Sequence, residues 1–304
     1  MKAVRTRLQK EWLENKAVYV MILPVLIYYF IFHYMPMGGI LMAFQDYSPN
    51  LGYFGSKWVG LEHFKSFFTS YYFQRLLVNT LMISVKDIII SFPMSIIFAL
   101  LLNEVRSKAF RKGVQTVSYL PYFISMVVVC GLVRDFTEAG GFISNMFAAM
   151  GGPQDGLLGN PGYFQGILIG SNVWQSLGYN SIIYISALSA IDQELYEAAR
   201  IDGAGRWKQT LYVTLPGIAS TIIIMLILRV GNLMTVNYQK IILLYSPATY
   251  ETGDVISTFV YRKGLLDSSY SYATAVGLFN SVINLVILCV TNWLSRKYSE
   301  TSLW

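Results

Sequence analysis

Charge is what this chain of 304 residues lacks most. Asp, Glu, Lys and Arg make up 13% of it, against about 25% in an ordinary soluble domain. Too few charges remain to cover a soluble surface of this size. Much of that surface must therefore face lipid, where charge is penalised. Cysteine and histidine are nearly missing too: Cys130, Cys289, His33 and His63 are the full set. Both cysteines lie inside apolar runs, and no CxxC or Cys/His cluster exists. A disulfide framework and a metal centre are both excluded as expectations. No G-x-x-x-x-G-K-[ST] phosphate loop is present, so the chain is not expected to bind or hydrolyse ATP itself.

What is there instead is apolar. Hydrophobic residues account for 54% and the mean hydropathy is +0.46. A helix needs about 20 mostly apolar residues to cross a bilayer. Six candidate spans meet that length, at about 17–35, 76–102, 114–133, 166–190, 215–233 and 273–294. The second is interrupted by Lys86-Asp87 and Pro93, the fourth is rather polar, and the fifth could continue toward Leu244. The first follows a basic stretch as a signal peptide would, but no small-x-small cleavage site comes after it, so it reads as a retained span.

The net charge of +6 is distributed in a way that suits topology control rather than nucleic acid. Lys2, Arg5, Arg7, Lys10 and Lys16 precede the first span. Arg106, Lys108, Arg111 and Lys112 separate the second from the third, and Arg200, Arg206 and Lys208 the fourth from the fifth. Arg296 and Lys297 follow the sixth. These are fourteen of the 23 basic residues, and they predict both termini on the cytoplasmic side. The expected layout is a cytoplasmic segment 1–16, a first helix 17–35 and an extracytoplasmic segment 36–75 with short interfacial helices. A five-helix core 76–297 containing a cytoplasmic loop 192–216, and a tail 298–304, complete it. Gly-rich clusters within 136–165 read as turns.

One inside loop stands apart, Glu194 to Gly217. Asp192 can cap a short helix through Ile201, Gly203 permits a sharp reversal, and a second helix can run over about 205–214 with Trp207, Leu211 and Val213 free for packing. Pro216 suits the first turn of the next span. Such a helix–glycine–helix element is either a docking site for a partner or an amphipathic connector lying on the membrane.

Glu197-Ala198-Ala199, Gly203 four positions on, and Val213-Thr214-Leu215-Pro216 resemble the EAA loop of binding-protein-dependent ABC importer permeases. That pattern reads EAA, three residues, G, nine residues, I-x-L-P, and only Val213 departs from it. Asp202 and Ala204 match its sugar-importer form. Gly60-Leu61-Glu62-His63-Phe64, Asn79-Thr80 and Tyr119-Leu120-Pro121 (the last at the expected start of span three) extend the resemblance along most of the chain. Leu23-Pro24, the run from Tyr34 to Ile40 and Ala43-Phe44-Gln45-Asp46-Tyr47 are similar to the LplB-like polysaccharide permeases.

The resemblance implies an all-α membrane protein of type I ABC importer permease fold. It would translocate a carbohydrate, a complex oligosaccharide in the subgroup's case, by alternating access. It implies a second homologous permease as a heterodimer partner, two ATPase subunits carrying ATP and Mg, and an extracytoplasmic solute-binding lipoprotein. Glu197, Ala198, Ala199, Asp202, Gly203, Leu215 and Pro216 would then couple the chain to the ATPases. No cofactor, no catalytic residue and no nucleic acid is implied.

A sugar path needs aromatic faces with amide and hydroxyl partners. Tyr119 and Tyr122, then Trp174, Gln175, Tyr179, Asn180 and Tyr184, then Asn232, Asn237 and Tyr238 supply them. The plainer reading of each is interhelical bonding or packing. Lys86, Asp87 and Arg229 fall within spans. Neighbours in a helix do not face each other, so Asp87 is expected to pair with Arg229, or Arg229 with another subunit. The rival from another class is an ion-coupled secondary transporter without ATPase partners, but no inverted repeat of broken helices is visible. A membrane enzyme would need a nucleophile, metal set or carboxylate pair that the chain does not offer.

Overall fold

The computed structural model describes residues 12, 15–299 and 302. The remaining residues of the expected cytoplasmic segment 1–16 and of the tail 298–304 lie outside the described residues. The described chain is helical, with one two-stranded ribbon.

Helix α1, Lys16–Tyr29, runs on without a break through a π turn, Phe30–Tyr34, and a 3-10 segment, Met35–Phe44. It therefore extends nine residues past the expected end at Met35. Pro36 falls at the start of the 3-10 segment, directly after the π turn, where the helical hydrogen-bond pattern changes. Lys16–Tyr29 buries no side chain, so its apolar surface is left for lipid or for another subunit. Strand β1, Gln45–Asp46, pairs antiparallel with β2, Lys57–Trp58, in the register Gln45↔Trp58. Helix α2, Glu62–Phe68, follows. Two of the recognised sequence runs meet here: the His63 ring nitrogen Nε2 lies 3.1 Å from the Gln45 carbonyl oxygen, and the Phe64 ring packs on Phe44.

Helix α3, Tyr72–Glu104, is continuous across Lys86-Asp87 and Pro93. Helix α7, Pro161–Ser189, packs along it. Asn160 caps α7 by accepting from the Gly162 N–H. Between them the expected third span is broken. Helix α4, Lys108–Phe123, ends at Ile124, and α5, Met126–Thr137, leaves with its continuation, α6 (Phe142–Ala149), in a pair bent by 100°. Pro121 lies in the last turn of α4, not at the start of a span. Ile124 and Ser125 are extended, and the Ser125 hydroxyl accepts from the Val128 N–H to begin α5. A proline that withdraws a donor followed by a serine cap makes a corner where hydropathy alone reads one run. At Gly178 of α7 a Cβ would collide with the Ser118 backbone of α4, so only glycine allows this crossing.

The loop helices α8, Gln193–Ile201, and α9, Arg206–Gln209, come next. A π segment, Thr210–Thr214, leads to a 61° bend before α10, Ala219–Gly231. The fifth span does not continue toward Leu244. The chain turns at 232–237 and restarts as α11, Tyr238–Leu244, then α12, Ile256–Tyr261, and finally α13, Tyr270–Ser299. Three helical stretches, Lys16–Phe44, Tyr72–Glu104 and Tyr270–Lys297, are long and apolar enough to cross a membrane; counting each bent pair as one span brings the number to five.

Candidate functional site

Two places gather the functional candidates. The first is the 192–217 loop. Asp192 caps α8 by accepting from the Glu194 N–H at 3.0 Å, and α8 ends at Asp202. Gly203 sits at φ +76°, the left-handed region that L side chains rarely adopt. There the Ala204 N–H donates to the Ala199 carbonyl at 2.8 Å. Gln209 Nε2 donates to the Ala204 carbonyl at 2.7 Å, and the Tyr196 and Thr214 hydroxyls bond at 3.0 Å, tying the two arms together. Glu197, Ala198, Asp202, Gly203 and Pro216 are exposed, while Ala199 and Leu215 are half-buried.

The base of this loop is wedged into the helices. Ile191 and Ile218 join Ala99 of α3 and Tyr184 and Leu188 of α7 in one apolar cluster. The outer side is bare of packing: Ile201 is 87% exposed, Trp207 74% and Tyr212 76%. Of the three residues free for packing, Trp207 and Leu211 are turned outward, and only Val213 joins the cluster. The loop's tie to α3 on that side is Arg206 to Glu104 at 3.7 Å.

The second place is a cavity of about 540 Å³ between α3, α5, α7 and the 232–237 turn. Tyr122, Gln175, Asn232 and Asn237 of the expected path line it, together with Asp87, Asn172 and Arg229. Asp87 Oδ2 accepts from Arg229 Nη2 at 2.7 Å, which is the cross-helix pair expected from the sequence. Its Oδ1 accepts from Ser91 at 2.8 Å and Asn172 Nδ2 at 3.4 Å. Lys86, on another face of α3, donates to Gln165 at 2.7 Å. Tyr179 stacks on Tyr122 with ring centroids 3.7 Å apart and 3° between planes.

The other path candidates lie elsewhere. Trp174 faces a separate, largely apolar pocket with Tyr163 and Phe147. Tyr184 is buried in the cluster beneath the loop. Tyr238 packs on Tyr261, Tyr119 lies against Gly178, and Asn180 is half-buried on α7. None of these is among the residues lining the cavity. The candidate that sequence reasoning missed is Lys240. Its side chain is fully buried. Its Nζ donates to Asn172 Oδ1 at 2.9 Å and Gln175 Oε1 at 3.2 Å. The available signal was Asn237, whose side chain caps α11 by accepting from the Lys240 N–H.

A third cluster holds the 245–262 region. Asp254, fully buried, receives Arg262 on both carboxylate oxygens at 2.9 and 2.7 Å, with Arg75 at 3.5 Å. Burial alone would lower the Arg262 guanidinium pKa, but its bonds to Asp254 and Tyr245 more than reverse this and raise it. Asn79 Nδ2 donates to the Glu251 and Asp254 carbonyls, and the Thr80 hydroxyl accepts from the Ile256 N–H. The Asn-Thr pair singled out in the sequence is therefore a brace between α3 and this region.

Residues 91–300 match the model of the family described as binding-protein-dependent transport system inner membrane component, and the chain belongs to that family. It is a multi-pass membrane component of an ABC transport system, with the type I importer permease fold. Among its relatives in Bacillus subtilis (strain 168), the polygalacturonan/rhamnogalacturonan transport system permease protein YteP is 41% identical over 100% of this chain and 95% of its own length. Protein LplB of the same strain is 39% identical, covering 95% and 92%. A solved bacterial ABC transporter involved in import of the acidic polysaccharide alginate contains a chain that superposes with TM-score 0.88. The two are 43% identical, and the match covers 96% of this chain and 99% of that one.

Proposed function

We propose that this chain is one of two permease subunits of an importer that moves a complex oligosaccharide across the cytoplasmic membrane by alternating access. The observation that carries the reading is the EAA-type loop, presented as an exposed hairpin whose base is wedged between α3 and α7. Glu197, Ala198, Ala199, Asp202, Gly203, Leu215 and Pro216 dock it on an ATPase subunit. The outward Ile201, Trp207 and Tyr212 supply apolar surface for that contact. ATP and Mg are bound on two such partner subunits. Closure of the ATPase pair pulls the loop, the shared cluster passes the motion to α3 and α7, and the cavity between them changes its access. A second, homologous permease completes the path as a heterodimer partner, and an extracytoplasmic lipoprotein delivers the saccharide. The relatives' named substrates, polygalacturonan, rhamnogalacturonan and alginate, support a polymeric sugar.

The topology that suits this role has six crossings and both termini cytoplasmic, with the 192–216 loop on the same side. The sixth crossing is α7. Its 29 residues reach about 43 Å at 1.5 Å each, more than the about 30 Å hydrocarbon core. The polar character of this fourth candidate span comes from Asn172, Gln175 and Ser176, which face the cavity rather than lipid. The test is reconstitution of the tagged chain with its permease, ATPase and binding-protein partners in proteoliposomes. ATP-dependent uptake of a labelled oligosaccharide is expected. Uptake driven by an ion gradient without ATPase subunits would refute the proposal.

A further inference from the structure

Among the described residues, Lys240 is the one buried lysine whose ammonium is held by two cavity-lining amides and by no carboxylate within ion-pair distance. Burying a cation this way is costly, and a nearby apolar side chain such as Met would fill the same space without that cost. The ammonium has a geometric consequence. Lysine only donates, so both amides must turn their carbonyl oxygens toward it. Asn172 then has its N–H2 toward Asp87, and Gln175 keeps its N–H2 for the cavity it lines. The charges add to this. Asp87 and Arg229 cancel as a pair at 2.7 Å, which leaves the Lys240 charge as the surplus on this wall. A donor-presenting wall backed by a positive charge in a region of low dielectric favours anionic oxygens over neutral ones.

We infer that Lys240 is the positioning residue that selects carboxylate-bearing saccharides in this cavity, by fixing the amides of Asn172 and Gln175 as donors and supplying the uncompensated charge behind them. The inference rests on the oligosaccharide-importer reading above. It is tested in the complete reconstituted complex with a uronate oligosaccharide and its methyl ester, comparing KM for saccharide-stimulated ATP hydrolysis. Two variants are used: Lys240→Met, and Gln175→Glu, which keeps Lys240 paired and so preserves packing while cancelling the surplus charge. Assembly is checked by co-purification of the partner subunits. The wild-type complex is expected to prefer the acid. Both variants should lower that preference by about tenfold, the weight of one charge-assisted hydrogen bond, mainly through KM. A preference unchanged in an assembled Gln175→Glu complex, or a wild type that prefers the ester, overturns the inference while leaving the importer reading intact. A wild-type complex stimulated by neither saccharide counts against the oligosaccharide reading itself.

Discussion

Two regions of this chain each centre on an Asp–Arg pair with a closest contact of 2.7 Å, and they are built for different ends. At Asp254 the carboxylate is fully buried and grips Arg262 with both oxygens. Arg75 adds a second cation, Thr258 donates to the carboxylate, and Tyr250 stacks its ring on the Arg262 guanidinium. At Asp87 one oxygen meets one guanidinium nitrogen, the Arg229 side chain is 38% exposed, and the pair lies on the wall of a cavity. The first arrangement is held from several sides, with both Asp254 oxygens engaged and Arg262 bonded to Tyr245 as well. The second can open without stranding a charge in a dry core. A transporter needs both kinds: a brace that stays the same through the cycle, and a wall that can move.

That contrast can be broken from its strong side first. Asp254→Ala strands Arg262 and Arg75 in the protein and should cost about 3–5 kcal/mol, the range for removing one partner of a buried pair. Loss of properly folded chain from the membrane fraction, or a collapsed melting temperature in detergent, is the expected result. A normal melt would mean the brace is ornamental. Gly203→Pro and Glu197→Lys come next. Proline cannot adopt φ +76°, and both changes lie on an exposed hairpin outside the packed clusters. Uptake should vanish while the amount of chain in the membrane stays normal; surviving uptake in both would sink the coupling assignment.

Smaller effects are expected at the cavity. A double-mutant cycle of Asp87→Ala and Arg229→Ala should give a coupling of about 1 kcal/mol in stability, well below the Asp254 cost. A coupling as large as that of the brace would erase the distinction drawn between the two pairs. Tyr122→Ala removes the stack on Tyr179 and should destabilise by about 1 kcal/mol beyond lost area. Denaturant or thermal melts read it, and the same variant assayed for uptake tells whether the stack is also a sugar platform.

The parts of the structure that were legible in advance share one property: their causes are close in sequence. Asp192 capping α8, Gly203 reversing the chain and Asp87 being turned away from Lys86 all follow from local spacing. The misjudged parts have causes that hydropathy averages away. The 114–133 run holds enough apolar residues for a span, but Pro121 and Ser125 turn it through a corner. The sequence leaves Trp207 open between core and partner, because nothing local distinguishes a residue kept for one from a residue kept for the other, and the structure turns it outward.

Composition and order alone were enough to establish a membrane chain, its apolar helices and an importer-type loop. Apolar length and basic flanks act through the solvent, and a cap or a glycine acts through its own backbone, so neither needs a distant partner. The cavity is of another kind. Asp87 meets Arg229, and Lys240 meets Asn172 and Gln175, across separations of 142, 68 and 65 residues. A buried lysine is tolerable only once those amides are in reach, and packing of α3, α7 and α11 is what brings them there.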